Sequence, residues 1–275
     1  MQPLRPDTLS EALDILARPV LVQVTAGGPP PRPAPHALLM DTGRISEMAG
    51  IHRLGGEMVV GVNNSWAGMM RSSLLRPGAA CLVDAAELME EDEPGGALLH
   101  AMDAAQPDTP LLLALTALDA RIELALREAP GRIVRQTLPL QRALKSPPEG
   151  PHLPLTVRFS VPFLAAGSAL YREKDLSPMQ PDAHAAAALV TLDPDSGQIA
   201  SFRLALALPG QWPVLCPAIE GIVGQEPGRE VIEAAVQWAR QDCQPTATDP
   251  DFSLVLSSHL MRVTLDRALA RARAT

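Results

Sequence analysis

Aromatic residues, cysteine and clustered basic residues are all scarce in this chain. Phe, Trp and Tyr make up 3% of the 275 residues, whereas apolar residues reach 47%, so the core must consist mainly of Ala, Leu and Val. The net charge of −8 comes without a long run of Lys or Arg. Non-specific nucleic-acid binding requires clustered basic side chains that displace counterions, so we do not expect the chain to bind nucleic acid.

Cysteine and histidine are too dispersed to predict a disulfide framework or a metal centre. The three cysteines, Cys81, Cys216 and Cys243, are odd in number and far apart, which indicates reduced thiols rather than bridges or iron–sulfur ligands. The six histidines form no pair at metal-ligand spacing. Gly-x-Ser-x-Gly and phosphate-loop motifs are also missing. We therefore expect neither catalytic residues nor a metal site, and the motifs alone do not decide whether the chain is an enzyme.

Membrane and export signals are likewise missing. No apolar run approaches the ~20 residues that a membrane-spanning helix needs. The first residues, MQPLRPDTLSEALDIL, contain no long apolar segment behind a basic start, which argues against a signal peptide. These features predict a cytoplasmic protein without a membrane span.

The amino-terminal part predicts short strands that alternate with helical turns. Thr8 is a candidate N-cap for a helix, with Glu11 three residues later and apolar residues at helical spacing. Apolar strand patterns follow at residues 20–24, 37–41 and 57–62, with a double-glycine turn after the first. This order indicates a small unit of the βαβ kind.

The middle of the chain predicts helices and one hairpin before a proline-rich break. Helical patterns cover residues 65–75, 82–89 and 111–120, and alternating segments at 121–126 and 131–135 predict a hairpin. Residues 145–152, KSPPEGPH, combine prolines with a glycine in a way that blocks regular structure. We therefore expect a domain boundary near residue 150.

After this break the pattern changes to strands followed by helices. Strands are predicted at residues 155–161, 186–192 and 199–208, and helices at residues 229–241 and 252–272. A sheet with helices after it is typical of the α+β class.

Several segments follow one another in an order that resembles a known family. They are the helix RPDTLSEALDILA, the turn VTAGG, the segments HALLMDTGRISEMAGI and EMVVGVNNSW, the stretch PGGALLHAMDAAQPDTPLLLALTALDARIEL, the strand and turn GQIASFRLALALPGQWPVLCPAIEGIVGQ, and the closing helix SSHLMRVTLDRALARA. Their collinear order is similar to the FAD-binding medium subunit of the molybdenum hydroxylases, the carbon monoxide dehydrogenase and xanthine dehydrogenase family. In this resemblance VTAGG corresponds to the first FAD pyrophosphate loop, and the stretch that begins PGGALL corresponds to the second.

The resemblance implies a fold and a domain division. The fold class would be α+β, with a two-lobed FAD-binding domain of the PCMH type followed by a C-terminal domain that has a three-stranded antiparallel sheet and helices. The FAD-binding-type domain would cover residues 1–147, with lobes of about 1–55 and 56–147. The C-terminal domain, of the carbon monoxide dehydrogenase flavoprotein type, would cover residues 153–275.

The resemblance also implies a role in electron transfer. In the family, a large subunit carries the molybdopterin cofactor and a small subunit carries [2Fe–2S] clusters. The medium subunit passes electrons from those clusters to FAD and then to an external acceptor, so its task is to hold the flavin and tune its surroundings. By this resemblance the chain is an oxidoreductase subunit that works only with both partners.

Two double-glycine turns are the candidate cofactor-binding loops. Ala26, Gly27 and Gly28 form the first loop, and Gly95, Gly96 and Ala97 form the second. Glycine lets backbone N–H groups approach a pyrophosphate and permits positive φ, so the two turns would face one FAD from two sides. The alternative is that each glycine pair is simply a tight turn.

Both loops depart from the family pattern at positions that should weaken FAD binding. Pro29, Pro30 and Pro31 remove N–H donors from the first loop. In the second loop Glu93 stands at a hydroxyl position of the family and Ala97 at an amide position, after an acidic run. Acidic side chains repel a nearby phosphate, unless the run points into solvent. Three hypotheses follow: a flavoprotein subunit with unusual loops, a structural subunit that has lost FAD, or a stand-alone protein without these partners.

Three further residues match family positions near the flavin, each with a simpler alternative. Asp108 either hydrogen-bonds the flavin or caps a helix. Lys174 either lies near the cofactor or is an exposed lysine on a turn. Asn64 ends a predicted strand and donates either to the flavin or to its own turn. These residues complete the predicted cofactor-binding set.

Overall fold

The computed structural model describes residues 3–26, 36–92, 95–102, 109–129, 131–162, 165–173, 185–207, 211–242 and 250–275. The chain divides into two units whose segments are interleaved along the sequence. The first unit comprises Met1–Arg71, Met89–Ala105 and Asp119–Ser160, and the second comprises Ser72–Leu88, Gln106–Leu118 and Val161–Thr275. The expected mixture of helices and antiparallel strands is confirmed in these units.

The helices and strands are numbered in chain order. The helices are α1 (Leu9–Leu16), α2 (Trp66–Met70), α3 (Arg76–Asp92), α4 (Pro110–Ala117), α5 (Leu140–Lys145), α6 (Arg229–Asp242) and α7 (Pro250–Ala274). The strands are β1 (Val22–Thr25), β2 (Leu38–Asp41), β3 (Ile51–Leu54), β4 (Glu57–Gly61), β5 (Arg121–Ala129), β6 (Arg132–Pro139), β7 (His152–Ser160), β8 (Ala166–Arg172), β9 (Ala185–Leu192), β10 (Ile199–Ala207) and β11 (Val214–Leu215). Among the described residues, no helix is both long enough and apolar enough to cross a membrane.

Helix α1 begins where its capping residues predict. The Thr8 hydroxyl accepts the Glu11 N–H at 3.3 Å, and the Glu11 carboxylate accepts the Asp7 N–H at 2.9 Å. These bonds satisfy N–H groups around the first helical turn, where intrahelical partners are lacking. Leu9 and Leu13 are buried on the inner side of the helix. The predicted helix is confirmed.

The amino-terminal part of the first unit contains a separate two-stranded sheet and a hairpin that belongs to the main sheet. Strands β1 and β2 pair in parallel, and Leu4 bridges to Met40 on β2. Strands β3 and β4 form a hairpin whose tip glycines, Gly55 and Gly56, have φ of 58° and 87°. Positive φ at both central residues is what a tight type I′ hairpin turn needs. The strands predicted at 37–41 and 57–62 are confirmed, whereas β3 was not predicted.

The sheet of the first unit runs across the expected domain boundary. Its five strands lie in the order β3-β4-β7-β5-β6, with antiparallel neighbours. The strand predicted at 155–161 is β7, which pairs with β4 and β5, so its assignment to the second domain is corrected. Pro154 lacks an N–H and lies at a register shift between β5 and β7, where proline is tolerated. The division into domains 1–147 and 153–275 otherwise stays a prediction.

A charged cluster links neighbouring strands of this sheet. The Glu123 carboxylate on β5 accepts hydrogen bonds from Thr156 at 3.1 Å, from Arg135 at 3.4 Å and from Arg158. Burial raises the pKa of the Glu123 carboxyl, but the hydrogen bonds and positive charge from Arg158, Thr156 and Arg135 outweigh it. The net result is a Glu123 pKa below its ordinary value, so folding favours the ionised carboxylate.

Leu, Ile and Ala side chains make up most of the core of the second unit. Its sheet has the order β11-β10-β9-β8, with three long strands and the two-residue β11 at one edge. Helix α7 packs on β8 and β9, where Gly167 permits close approach: a Cβ at this position would lie 2.2 Å from the Ala268 carbonyl oxygen and 2.2 Å from the Ala272 nitrogen. Strand β8 was not predicted, because its sequence, AGSALYR, is rich in residues with weak strand preference.

One charged pair ties α3 to α7 within the second unit. Arg271 donates from Nη1 and Nη2 to the two carboxylate oxygens of Asp84 at 2.7 and 2.9 Å. Arg271 Nη1 also donates to the Ser168 carbonyl at 2.7 Å, and the Leu170 N–H donates to Asp84 Oδ2 at 2.9 Å. The hydrogen bond to Asp84 raises the pKa of Arg271, so the guanidinium stays charged in the folded unit.

Two of the three cysteines lie in the described part of the second unit. Cys81 and Cys216 are buried and not in a disulfide, while Cys243 lies outside the described residues. Burial raises the pKa of the Cys81 thiol to about 12. Because only the thiolate is strongly nucleophilic, Cys81 acts as a small apolar core residue.

Candidate functional site

The predicted cofactor-binding residues divide into those that the structure describes and those that it does not. Gly27, Gly28, Asp108 and Lys174 lie outside the described residues. The described members are Ala26, Asn64, Gly95, Gly96 and Ala97. All five belong to the first unit.

The ends of strands β1, β2 and β4 are joined by hydrogen bonds next to the first loop. Ala26 follows Thr25, the last residue of β1, whose carbonyl oxygen accepts the Thr42 N–H at 2.8 Å and the Thr42 hydroxyl at 2.9 Å. Asn63 Nδ2 donates to the Thr42 carbonyl at 2.7 Å, and the Thr42 hydroxyl lies 3.0 Å from Asn63 Oδ1. Thr42 therefore fixes the start of the first loop relative to the end of β4.

Asn64 uses its side chain to stabilise its own turn. Its Nδ2 donates to the Gly61 carbonyl at 2.7 Å and to the Gly50 carbonyl at 2.8 Å. Both hydrogens of the amide group thus have acceptors in the protein. Of the two alternatives for Asn64, donation to the turn is the one for which the structure gives contacts.

The second loop is fastened to the segment that follows β4. The Trp66 N–H donates to the Gly96 carbonyl at 3.1 Å, and the Leu98 N–H donates to the Asn64 carbonyl at 2.9 Å. Ser65 and Ala97 form an antiparallel bridge between the same two segments. The structure therefore brings Asn64, Gly96 and Ala97 together, as the cofactor-site hypothesis requires.

The backbone donors of the second loop, however, have acceptors within the protein. Gly95 has φ of +79°, and its N–H donates to Glu90 Oε2 at 3.1 Å. The Ala97 N–H donates to His100 Nδ1 at 3.2 Å, and the His100 N–H donates to the Ala97 carbonyl at 2.8 Å. A carboxylate and an imidazole thus take the two N–H groups on either side of Gly96.

Gly96 is required by packing rather than by an open cradle. A Cβ added to Gly96 would lie 2.3 Å from Trp66 Nε1 and 2.6 Å from Trp66 Cε2. The Trp66 side chain is fully buried, with 0% exposure. The indole ring therefore occupies the space where a side chain at position 96 would lie. Packing against Trp66 is thus enough to explain why this residue is a glycine.

The described part of this site does not fit an FAD pyrophosphate. A diphosphate needs several N–H groups that face it, and here the Gly95 and Ala97 donors are bonded to Glu90 and His100. A carboxylate beside Gly95 also opposes a phosphate electrostatically. No metal ligand set compensates for this charge, since the described residues contain no group of three or more His, Cys, Asp or Glu that could hold a metal ion.

An apolar pocket of about 250 Å³ lies in the first unit near the end of the second loop. Leu99 and Met102 form part of its wall, together with Ile122 and Leu124 of β5. Among its described lining residues, His152 is the one with a polar side chain, and His152 Nδ1 lies 2.9 Å from the Gly150 carbonyl oxygen. The pocket therefore offers mainly apolar contact, and its described lining contains no Lys or Arg for a phosphate.

Sequence reasoning missed the residues that hold the site closed. Thr42 and Trp66 were not singled out, His100 was treated only as one of the dispersed histidines, and Glu90 only as part of an acidic run. Thr42 follows a predicted strand directly after Asp41, a pattern typical of polar turn contacts. For Trp66 and Glu90 the sequence carries no comparable signal, because their partners depend on how the second loop folds back.

Known proteins resemble this chain in fold rather than in sequence. No protein-family profile and no curated protein sequence matches the chain. Among solved structures, carbon monoxide dehydrogenase from Hydrogenophaga pseudoflava, in a form that lacks the Mo-pyranopterin moiety of its molybdenum cofactor, has a chain with a TM-score of 0.78 and 21% identity. That match covers 98% of this chain and 99% of the other.

Two other solved structures give the same result. Reconstituted CO dehydrogenase from Oligotropha carboxidovorans has a chain with a TM-score of 0.78 and 20% identity, covering 98% of this chain and 100% of that one. Quinoline 2-oxidoreductase from Pseudomonas putida 86 has a chain with a TM-score of 0.78 and 16% identity, covering 99% and 98%. The resemblance found in the sequence is therefore confirmed at the level of fold: over nearly its whole length, this chain folds like a chain of carbon monoxide dehydrogenase and quinoline 2-oxidoreductase, which are molybdenum hydroxylases.

Proposed function

We propose that this chain is the medium, flavoprotein-type subunit of a cytoplasmic molybdenum hydroxylase complex, in which it serves assembly and carries no FAD. Its partners would be a molybdopterin-containing large subunit and a [2Fe–2S] small subunit. The proposal rests on the hydrogen bonds of the second loop, in which the Gly95 N–H donates to Glu90 and the Ala97 N–H donates to His100. The rest of the chain has the fold of a chain from carbon monoxide dehydrogenase.

An assembly role is supported by what the fold keeps and what the site lacks. The match extends over 98% of the chain, so the elements of the fold outside the loops are retained. The loops, in contrast, carry three prolines after Gly28 and a carboxylate at Gly95. A subunit that still has to fit its partners but no longer holds a cofactor would show this combination.

The competing function is electron transfer through FAD. It is favoured by the two Gly–Gly turns at the family's loop positions, Gly27–Gly28 and Gly95–Gly96. For this function Glu90 would have to leave the Gly95 N–H so that a phosphate could replace it. Each lost hydrogen bond to a charged group weakens binding by about 1.5–3 kcal/mol, so tight FAD binding by this loop would need contacts from elsewhere.

The test is the composition of the native complex. An affinity tag on this chain should co-purify a molybdopterin subunit and an iron–sulfur subunit, with iron and molybdenum in fixed ratio to the chain and with flavin far below one per chain. One FAD per chain in the purified complex would overturn the assembly role in favour of electron transfer. Recovery of the chain alone, under conditions that preserve known complexes of this kind, would overturn the partnership.

In the proposed complex, electrons from the iron–sulfur clusters reach the external acceptor by a route that avoids this chain. A flavin-free complex should therefore still reduce one-electron dyes after its substrate is oxidised. The same complex should show no flavin absorbance change during turnover. An activity that appears only after FAD is added would contradict this route.

A further inference from the structure

The end of α3 and the second loop form a closed internal contact. Glu90 lies in the last turn of α3, and five residues later the backbone returns so that the Gly95 N–H faces its carboxylate at 3.1 Å. Gly95 has φ of +79° with open space where a Cβ would lie, so the backbone conformation, not crowding, requires glycine here. An N–H presented by a glycine at positive φ is the kind of donor that binds anions in loops.

The position of Glu90 in its helix also favours this contact. The C-terminal end of a helix carries partial negative charge, which disfavours a carboxylate there. Glu90, Glu91 and Asp92 place three acidic groups in this last turn. A backbone N–H directed at Glu90 offsets part of this repulsion, because a hydrogen bond to a charged acceptor is stronger than one to a neutral acceptor.

The second donor of the loop is also taken by a side chain of the chain itself. His100 Nδ1 accepts the Ala97 N–H at 3.2 Å, and the buried Trp66 indole lies against Gly96 between the two donors. A diphosphate that used both N–H groups would have to displace Glu90 from Gly95 and His100 from Ala97. The N–H groups at both ends of the loop are thus hydrogen-bonded to side chains of the same chain.

We propose that Glu90 is a built-in anionic ligand of the second loop and that its carboxylate excludes external diphosphates from the Gly95 N–H. This inference rests on the proposed function in one respect, the absence of FAD, and it supplies a residue that causes that absence. It goes further in predicting that the loop retains a latent affinity for diphosphates, which removal of one carboxylate uncovers.

The size of the effect follows from charge repulsion. A phosphate and a carboxylate about 4 Å apart in a medium of effective dielectric near 60 repel each other enough to change an equilibrium about tenfold. Removal of the Glu90 carboxylate removes this repulsion and frees the Gly95 N–H. We therefore expect Glu90→Ala to bind inorganic pyrophosphate at least about tenfold more tightly than the natural chain.

The experiment titrates the full-length chain with inorganic pyrophosphate and, separately, with FAD. Glu90→Ala removes the charge and the acceptor, whereas Glu90→Gln removes the charge but keeps an acceptor for the Gly95 N–H. Glu87→Ala is the matched control, because Glu87 is an exposed acidic residue on the same helix. The expected order of pyrophosphate affinity is Glu90→Ala, then Glu90→Gln, then the natural chain and Glu87→Ala together.

A site-resolved measurement keeps the test independent of overall charge. In amide NMR spectra, the Gly95 signal of Glu90→Ala should move on addition of pyrophosphate, while that of the natural chain should not. Equal gains for Glu87→Ala and Glu90→Ala, or affinity in Glu90→Ala unchanged from the natural chain with native circular dichroism, would overturn the inference. Full FAD occupancy of the natural complex would instead overturn the proposed function, whatever the pyrophosphate affinity of the isolated Glu90→Ala chain.

Discussion

The second unit packs small side chains against a long helix, whereas the first unit joins strand ends through hydrogen bonds of polar side chains. In the second unit, Gly167 lets α7 approach β8 so closely that a Cβ would meet the helix backbone at 2.2 Å. In the first unit, Thr42 and Asn63 join the ends of β1, β2 and β4. The comparison sets a close packing contact in the second unit beside a polar network in the first, and four substitutions measure what packing and polar contacts contribute in each unit.

The largest effect is expected for Gly167→Val in the second unit. The new side chain would collide with the backbone at Ala268 and Ala272, and overpacking of a tight core costs about 3 kcal/mol or occasionally more. Urea denaturation monitored by circular dichroism should show a large loss of stability. Ser201→Val is the control, because Ser201 is exposed on β10 of the same sheet; a similar loss in both variants would contradict the packing argument.

Asp84→Asn should have the next largest effect. It leaves Arg271 with a neutral partner at a position where the Asp84 side chain is only 19% exposed, and breaking a partly buried pair of this kind should cost about 2 kcal/mol after discount for solvent. The matched control is Glu233→Gln, since the Glu233–Arg262 pair at the surface has ideal distances of 2.7 and 2.8 Å. Little change is expected in the control, and equal losses would show that burial does not distinguish the two pairs.

Gly96→Ala tests the packing of the second loop in the first unit. Its Cβ would lie 2.3 Å from Trp66 Nε1, so the fully buried indole must move, at about 2 kcal/mol. Gly95→Ala has open space but positive φ, and it should cost about 1 kcal/mol through backbone strain alone. Tryptophan fluorescence should shift for Gly96→Ala but not for Gly95→Ala. A shift in neither variant would contradict the contact between Gly96 and Trp66.

Glu123→Gln should have the smallest effect at neutral pH, and that effect should depend on pH. The folded first unit lowers the pKa of Glu123, so the carboxylate stabilises the fold above its unfolded pKa of about 4.3. This advantage, about 1.5 kcal/mol, is lost as pH falls through the folded pKa. The stability difference between the natural chain and Glu123→Gln should therefore have its full size at pH 7 and shrink in strongly acidic solution.

Glu128→Gln is the control for the pH experiment. Glu128 pairs with Arg132 at 3.2 Å, but both side chains are at least half exposed, and such pairs contribute little to stability. A difference for Glu123→Gln that stays constant from pH 7 to strongly acidic solution would show that its effect is not electrostatic.

Local signals predicted the elements whose partners are close in sequence. The Thr8–Glu11 cap, the β5–β6 hairpin and the two closing helices all lie where the sequence indicated. Strand β8 escaped prediction, because its small residues become a strand only under α7. The prolines of residues 145–152 indicated a domain boundary, but the strand that follows them, β7, pairs with strands of the first unit. Pro154 is tolerated within β7 because it lies at a register shift, where its missing N–H is not needed.

The candidate site shows the same limit. Glycine pairs in the loops were visible in the sequence, and the structure brings Asn64, Gly96 and Ala97 together. The contacts that decide whether the loop is open are those of Glu90, Trp66 and His100. These contacts depend on how the loop folds back onto the helix. From the sequence alone, the same acidic run could repel a phosphate, face solvent or accept a backbone N–H.

The central position of β7 has a consequence for synthesis of the chain. β4 and β5 have no direct pairing with each other and are joined only through β7, so the sheet of the first unit stays divided until Ser160 has left the ribosome. Residues 72–88 and 106–118 must wait longer for their packing partners to be synthesised, since the unit to which they belong extends to Thr275. Long waits of this kind expose strand edges to aggregation. The nascent chain should therefore depend on chaperones through most of its translation.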